Sequence, residues 1–217
     1  MDYMEDLGYT PETKDGKDLI TVVVDRSGSM GAIKDDAEGG LNSFLEEQKK
    51  VGSADLTLAE FDTEYNLVHD GINIQEFKGY TLEPRSMTAL LDAIGRTAAS
   101  VKNKQCDGKK IFVVVTDGQE NSSQEWNRER VFNTIEEMKN KGWEFVFLAA
   151  DQGAIDDAVS FGFDKDSSFV YAASAKGANE SYQAVNAYST SLRSKSKEES
   201  IKDLDEFIEG SETLKKD

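Results

Sequence analysis

The sequence predicts an α/β fold: a doubly wound, mostly parallel central sheet with one antiparallel edge strand and helices on both faces. Three apolar runs rich in β-branched or aromatic residues, at Leu19–Val24, Ile111–Val115 and Trp143–Ala149, are typical of strands covered on both sides. Stretches with helical periodicity separate them. Strands that alternate with helices indicate a parallel sheet between two helical layers.

A hairpin accounts for the antiparallel strand. Asp55–Phe61 and residues 65–74 both have strand patterns, and only Asp62, Thr63 and Glu64 separate them. Three residues cannot hold a helical crossover, so the two strands must run antiparallel. In an otherwise parallel sheet such a hairpin places its second strand, residues 65–74, at an edge.

Helices are predicted between and after the strands. In the first helical stretch, residues 31–50, apolar side chains recur at helical spacing. Thr88 is predicted to open the second helix, which Asp107 and Gly108 follow. The remaining helices are predicted at about 125–141, 152–160 and 175–193, with a short strand at 168–171.

The chain has 217 residues, which suits one large domain with extensions. We expect an acidic N-terminal arm at residues 1–17, a single domain at 18–193 and a charged tail at 194–217. The tail has the pattern of one more short helix, which Gly210 ends.

Composition limits the function. The net charge is 25 minus 42, or −17, which repels nucleic-acid phosphate and anionic lipid and attracts divalent cations. No apolar run reaches the roughly 20 residues that span a bilayer. We therefore expect neither a nucleic-acid nor a membrane partner. The lone Cys106 and an acidic N-terminus without a secretory pattern predict a cytoplasmic protein. The sequence does not predict the oligomeric state.

Oxygen-bearing side chains follow two of the buried strands. Asp25, Ser27 and Ser29 alternate directly after Leu19–Val24, and Asp117 follows the second buried strand. Each is an ordinary turn residue when taken alone, and Thr88 could be an ordinary helix N-cap. The carboxyl ends of parallel strands share one edge of the sheet, where α/β proteins bind ligands. Small hard cations such as Mg²⁺ prefer oxygen ligands, so we predict a divalent-metal site at this edge.

These residues carry a family resemblance. The segment Asp25–Met30, Thr88 and the segment Thr116–Gly118 together resemble the metal-ion-dependent adhesion site of von Willebrand factor type A domains. The resemblance covers about residues 18–190. It implies that Mg²⁺ or Mn²⁺ is bound, in part through water, by five side chains: Asp25, Ser27, Ser29, Thr88 and Asp117.

Details of the site depart from the family pattern. Many members have Gly-Gly or Gly-Ser before the threonine, whereas this chain has Ser86-Met87. Met87 could narrow the approach to the metal, and Ser86 is an alternative to Thr88 as a ligand. The segments Pro84–Ile94 and Phe147–Gln152 resemble small stand-alone members from bacteria and their phages.

The resemblance implies a metal-dependent protein-binding module in which an acidic side chain of a protein partner completes the metal shell. The rim that would contact this partner is predicted to comprise Arg26, Met30, Met87, Glu120 and Asn121. Arg26 could pair with an acidic partner or be a solvated charge. Asp92 could orient a ligand hydroxyl or be an ordinary acidic residue of a first helical turn.

Two other functions fit parts of the pattern. A structural or assembly subunit with a metal-stabilised site is compatible with the acidic surface and the extensions. A metal-dependent phosphoryl-transfer enzyme could use Asp25 as its nucleophile, but Ser27 stands where a second Asp would be needed. The sequence has no Gly-Lys-Ser phosphate loop, and its sole histidine, His69, falls in the predicted edge strand. We therefore predict that the protein is not an enzyme.

Overall fold

The computed structural model describes residues 16–149, 152–170 and 175–210, with the side chains of residues 175–180 excepted. Residues 1–15 of the predicted acidic arm, residues 150–151 and the tail after residue 210 lie outside the described part of the chain.

Six strands form one sheet in the order β3-β2-β1-β4-β5-β6. Among the described strands only the β2–β3 pair is antiparallel, and β3 lies at an edge, which confirms the predicted hairpin. The bounds are β1 Asp18–Asp25, β2 Ala54–Phe61, β3 Tyr65–Asn73, β4 Lys110–Thr116, β5 Trp143–Ala149 and β6 Ser168–Val170.

Six α-helices are described, together with short 3₁₀ helices at Gly28–Ile33, Ile74–Glu76 and Lys165–Ser167. No helix within the described ranges is both long enough and apolar enough to cross a membrane. The bounds are α1 Lys34–Val51, α2 Leu90–Val101, α3 Arg128–Lys139, α4 Gln152–Ser160, α5 Ala175–Ser194 and α6 Lys197–Gly210.

Helices cover both faces of the sheet, as predicted. Every residue of β1 is buried. Its even-numbered apolar residues, such as Val22, pack in a core with α1, α5 and α6. Leu19 and Val23 face the other core, which α2, α3 and α4 complete. Burial on both faces explains why the strand reads as a continuous apolar run rather than as an alternating one.

The second helix begins two residues later than predicted. α2 starts at Leu90, and Ala89 precedes it with φ −98° and ψ 62°. Instead of an N-cap side chain, the carboxylate of Glu120 accepts a hydrogen bond from the backbone N–H of Leu91 at 2.8 Å. The hydroxyl of Thr88 is therefore not used to cap the helix.

A buried ion pair connects the end of α5 to the first residue of β1. The guanidinium of Arg193, at the end of α5, donates to the carboxylate of Asp18 at 2.6 Å, and both side chains are buried. It also donates to the backbone carbonyls of Gln48 and Gly52 at the end of α1. α6 follows and packs on the same core through its buried apolar side chains, among them Leu204.

Candidate metal centre

Two carboxylates and their supporting hydroxyls meet at the carboxyl ends of β1 and β4. These strands are parallel neighbours, so Asp25 at the end of β1 lies beside Thr116 at the end of β4. The hydroxyl of Thr116 donates to Oδ2 of Asp25 at 2.5 Å. The hydroxyl of Ser29 donates to Oδ1 of Asp117 at 2.8 Å. The loops after the two strands are thus in direct contact.

The loop after β1 turns so that its side-chain oxygens stay close together. The backbone N–H of Ser27 donates to Oδ1 of Asp25 at 2.6 Å, which closes a tight turn. The hydroxyl oxygens of Ser27 and Ser29 are 3.1 Å apart. A 3₁₀ helix begins at Gly28 and carries the chain away from the site.

Gly118 marks the point where the oxygens converge. An ideal Cβ placed on Gly118 would lie 3.2 Å from the hydroxyl of Thr88, 3.5 Å from that of Ser29 and 3.7 Å from Oδ2 of Asp25. Since Ser29 also contacts Ser27 and Asp117, the structure brings all five predicted ligands into one cluster. The absence of a side chain on Gly118 leaves space beside three of them.

The two carboxylates of the cluster would be stabilised by a bound cation. Asp25 is fully buried. This burial raises the pKa of its carboxyl to about 6, against the hydrogen bonds from Thr116 and Ser27 that favour the charged form, and the nearby charge of Asp117 adds to the rise. A bound divalent cation would offset the cost of two neighbouring carboxylates.

The donor set fits a hard cation. The described residues contain no group of three or more His, Cys, Asp and Glu side chains that is arranged to hold a metal ion. The site offers instead two carboxylates and three hydroxyls, which are all oxygen ligands. Oxygen ligands of this kind suit Mg²⁺ or Mn²⁺ better than the nitrogen and sulfur ligands that soft metals prefer.

The structure distinguishes Thr88 from Ser86, the two residues predicted as alternatives for one ligand. Ser86 has a φ of 63°, in the left-handed region, and its hydroxyl lies 2.9 Å from that of Thr63. Its carbonyl accepts a hydrogen bond from the backbone N–H of Gly28 at 3.0 Å. Ser86 therefore supports the loop, whereas the buried hydroxyl of Thr88 lies in the oxygen cluster. Met87 between them is 56% exposed and lies at the surface beside the site.

Two of the predicted rim residues face inward. Met30 is fully buried and packs in the core on the α1 face, so it cannot contact a partner. The guanidinium of Arg26 lies 2.9 Å from the carboxylate of Glu60 and 3.0 Å from that of Asp62, and its side chain is only 11% exposed. Arg26 is thus an internal ion-pair partner rather than a solvated charge.

The other two polar rim residues, Glu120 and Asn121, join the loop after β4 to the segment at the start of α2. The side-chain carbonyl of Asn121 accepts from the backbone N–H of Thr88 at 2.9 Å. Glu120 accepts from the backbone N–H groups of Ser122 and Ser123 as well as from α2. Asn121 is exposed and Glu120 is half-buried, so they can also form part of the surface around the site.

Asp92 lies in the first turn of α2, as one of the two predictions stated, and its carboxylate has a further role. Its carboxylate accepts hydrogen bonds from three successive backbone N–H groups, those of Gln124, Glu125 and Trp126, at 2.7 to 2.9 Å. It does not orient a ligand hydroxyl. Asp92 binds the loop after β4 to α2 and thereby positions that loop at the site.

Thr116 belongs to the segment that carries the family resemblance, but the sequence did not predict its role in the site. Its hydroxyl donates to Asp25 and accepts from the backbone N–H of Gly118 at 3.1 Å. It thus joins the two loops that supply the carboxylates. The signal was present in the sequence, since a threonine that ends an otherwise apolar strand directly before Asp117 is out of pattern.

Solved structures share this fold. The chain is similar to proximal thread matrix protein 1 from the mussel byssus, in a structure with a zinc-occupied MIDAS motif (TM-score 0.63, 14% identity, 81% of this chain and 46% of that one). It is also similar to the PilB minor pilin from Streptococcus sanguinis (TM-score 0.63, 11% identity, 85% and 64%). A von Willebrand factor type A protein from Catenulispora acidiphila matches with TM-score 0.54 and 13% identity over 80% and 43%.

These similarities establish the fold: the chain has the architecture of a von Willebrand factor type A domain. It spans less than two thirds of each of these proteins. No known family's sequence pattern matches the chain. No curated protein matches it in sequence.

Proposed function

We propose that the oxygen cluster binds Mg²⁺ or Mn²⁺ and that the bound cation serves as a docking point for an acidic side chain of a protein partner. The observation that carries this proposal is the convergence of Thr88, Ser29 and Asp25 on the space beside Gly118. With Ser27 and Asp117 they would hold the cation, in part through water. Its chemistry when bound would be to accept a further oxygen ligand.

The cluster's exposure supports docking. Asp25, Ser27 and Thr88 are buried, so a partner cannot reach the cluster from their side. Ser29 is exposed and Asp117 is half-buried, so the cluster opens to solvent on their side. Two carboxylates balance the charge of a divalent cation without exceeding it. Because its ligands would act in part through water, the cation would keep a coordination position that one more carboxylate oxygen can take.

The similar proteins support a binding or assembly role. They include a pilus adhesin from Lactobacillus rhamnosus, a minor pilin and a thread matrix protein. An assembly subunit whose cation only stabilises the fold is the second candidate, because the pilin and the matrix protein are structural components by name.

A binding function also agrees better with the site than phosphoryl transfer does. Ser27 follows Asp25 at the position where a second acidic residue would be required. The ring of His69 packs edge-on against Phe77 at 6.1 Å, in the middle of β3 rather than at the carboxyl ends of the strands.

Metal binding is tested by thermal unfolding in EDTA and in millimolar Mg²⁺ or Mn²⁺. A cation at 100 times its Kd stabilises the folded state by about 2.7 kcal/mol. Ser27→Ala is expected to lose most of the response, and Ser53→Ala, a change of an exposed serine far from the site, to keep it. Equal melting temperatures with and without metal would reject the site.

Docking is distinguished from a purely structural role by water-proton relaxation of the Mn²⁺-loaded protein. N-acetylglutamate amide supplies a single carboxylate and should lower the relaxation enhancement as it displaces water. N-acetylglutamine amide, which has the same shape without the charge, should not. Unchanged relaxation with both compounds would favour the structural role.

A further inference from the structure

We propose a second ligand-binding site, at the end of the sheet opposite the oxygen cluster, for a small zwitterion that carries both a carboxylate and an ammonium group. A cavity of about 390 Å³ opens there between the first halves of β1 and β2, the end of β3 and the loop after α2. This volume is within the range of small-molecule sites. Seven of its lining residues have polar side chains: Thr21, Asp55, Thr57, Asp70, Lys104, Gln105 and Trp143.

Three of the residues that line the cavity, Thr21, Thr57 and Trp143, are buried and carry hydrogen-bond donors, and together they are called its floor. Thr21, Thr57 and Trp143 are each at most 3% exposed. The indole Nε1–H of Trp143 is buried and has no acceptor among the described residues. A buried donor without an acceptor costs free energy unless a water or a ligand supplies one. The floor is therefore suited to a ligand group that accepts hydrogen bonds.

Lys104 adds a positive charge beside this floor. Its ammonium lies 2.5 Å from Oδ1 of Asp70 and 3.3 Å from the hydroxyl of Thr57. An ammonium group has three N–H donors, and these two contacts use two of them. The third remains for a ligand. A carboxylate that enters the cavity would meet Lys104 and the donors of the floor together.

Carboxylates lie at the mouth of the same cavity. The side chains of Asp55 and Asp70 are 30% and 59% exposed, in contrast to the buried floor. Each already pairs with one lysine, Asp55 with Lys17 and Asp70 with Lys104. Their remaining oxygen lone pairs favour a cationic group near the surface. A ligand with a carboxylate inside and an ammonium outside matches this separation of charge.

The backbone next to the cavity is irregular. The β2–β3 ladder shifts register on both sides of Leu58, next to the cavity-lining residues of β3. Gly71 has a φ of +67°, and a Cβ there would lie 3.4 Å from the ammonium of Lys104. Only glycine takes this backbone conformation readily. Irregularities of this kind often accompany binding sites because they redirect side chains.

The unpartnered indole provides the measurement. The chain has two tryptophans, so a ¹H–¹⁵N spectrum of the full-length protein contains two indole signals, which Trp126→Phe assigns. A panel of free L-α-amino acids at millimolar concentration serves as the probe. We expect at least one member to move the Trp143 signal downfield in a saturable way, as a new hydrogen bond forms. Two analogues of this amino acid serve as controls: a carboxylic acid without the ammonium group and an amine without the carboxylate. Each should bind at least tenfold more weakly.

Matched variants connect the response to the cavity. Lys104→Met and Thr57→Val are each expected to weaken binding at least fivefold while the melting temperature stays within a few degrees. Lys102→Met changes a neighbouring lysine that pairs with Glu137 outside the cavity and should bind as the wild type does. A Trp143 signal that no amino acid moves would show a water-filled cavity and overturn the proposal. Binding that survives both Lys104→Met and Thr57→Val would overturn it as well.

Discussion

The hydroxyl of Ser29 donates a hydrogen bond of 2.8 Å to Oδ1 of Asp117, although 88 positions of sequence separate the two residues. This contact joins the loop after β1 to the loop after β4. Contacts within the protein therefore hold the oxygens of the cluster close together. Loops that are joined in this way favour cation binding, because little conformational entropy is lost when the site is filled.

Asp25→Asn tests the electrostatic cost of the cluster. In EDTA at pH 7 we expect the variant to be more stable than the wild type, by up to ~3 kcal/mol, because it removes a buried charge whose pKa is raised from 3.8 to about 6. The asparagine can keep the bond from Ser27, and its amide can donate to Thr116, whose hydroxyl can turn to the carbonyl of Gly118 at 3.1 Å. Urea unfolding in EDTA measures the difference.

The sign of the pH dependence follows from the same shift. A carboxyl whose folded pKa is raised favours folding most below its unfolded pKa and loses this contribution as pH rises through the folded value. The advantage of Asp25→Asn should thus be absent near pH 4 and complete above pH 7. Asp35→Asn, which changes an exposed acid on α1, should show no such trend. A variant less stable than the wild type at pH 7 in EDTA would contradict the burial argument.

The sequence was sufficient for the fold and for the proximity of the predicted ligands, because both depend on local patterns. Runs such as Leu19–Val24 identify strands covered on both faces, and the residues that follow such strands fall on a known edge of the sheet. Asp25 and Asp117 could be placed together without any knowledge of loop structure. The strand ends alone determined their proximity.

The surroundings of the predicted ligands depend on contacts that no local pattern reveals. Met30 turns into the core because the segment after Ser27 forms a 3₁₀ helix, and six residues are too few to show a periodicity. Arg26 is paired with Glu60, 34 positions away. Asp92 binds backbone groups 32 to 34 positions away. Such contacts follow from loop conformations that tertiary packing decides.

Arg193→Met tests the buried ion pair with Asp18. We expect a loss of about 3–5 kcal/mol, because the variant leaves a buried carboxylate without its partner and frees the carbonyls at the end of α1. Arg128→Met removes an ion pair of a half-exposed arginine and should cost about 1 kcal/mol or less. Equilibrium unfolding in urea compares the two. Similar losses would show that the burial of the Arg193 pair has no particular weight.

Leu204→Ala tests whether α6 belongs to the domain, since the sequence placed residues 194–217 outside it. Leu204 is 1% exposed and packs in the core on the α1 face, so its truncation should cost about 2–5 kcal/mol in a single unfolding transition of the whole domain. Lys202→Ala, at an exposed position of the same helix, should stay within about 0.5 kcal/mol of the wild type. An unchanged domain melting temperature in Leu204→Ala would identify α6 as an independent tail.

Gly118→Ala should separate metal binding from folding. The added methyl group would lie 3.2 Å from the hydroxyl of Thr88, which must give way by a few tenths of an ångström, and would occupy the space beside Ser29 and Asp25. We expect the melting temperature in EDTA to change little. Mn²⁺ affinity, measured by calorimetry, should fall at least about tenfold, or ~1.4 kcal/mol.

The control for this change is another glycine-to-alanine substitution. A Cβ on Gly39 in α1 meets no atom within 4 Å, so Gly39→Ala should stabilise the helix by about 1 kcal/mol and leave the affinity for Mn²⁺ unchanged. If Gly118→Ala bound Mn²⁺ as tightly as Gly39→Ala does, the cation could not occupy the space where the three oxygens converge. The ligand set would then have to exclude Thr88, because its hydroxyl is the oxygen nearest to the added methyl group.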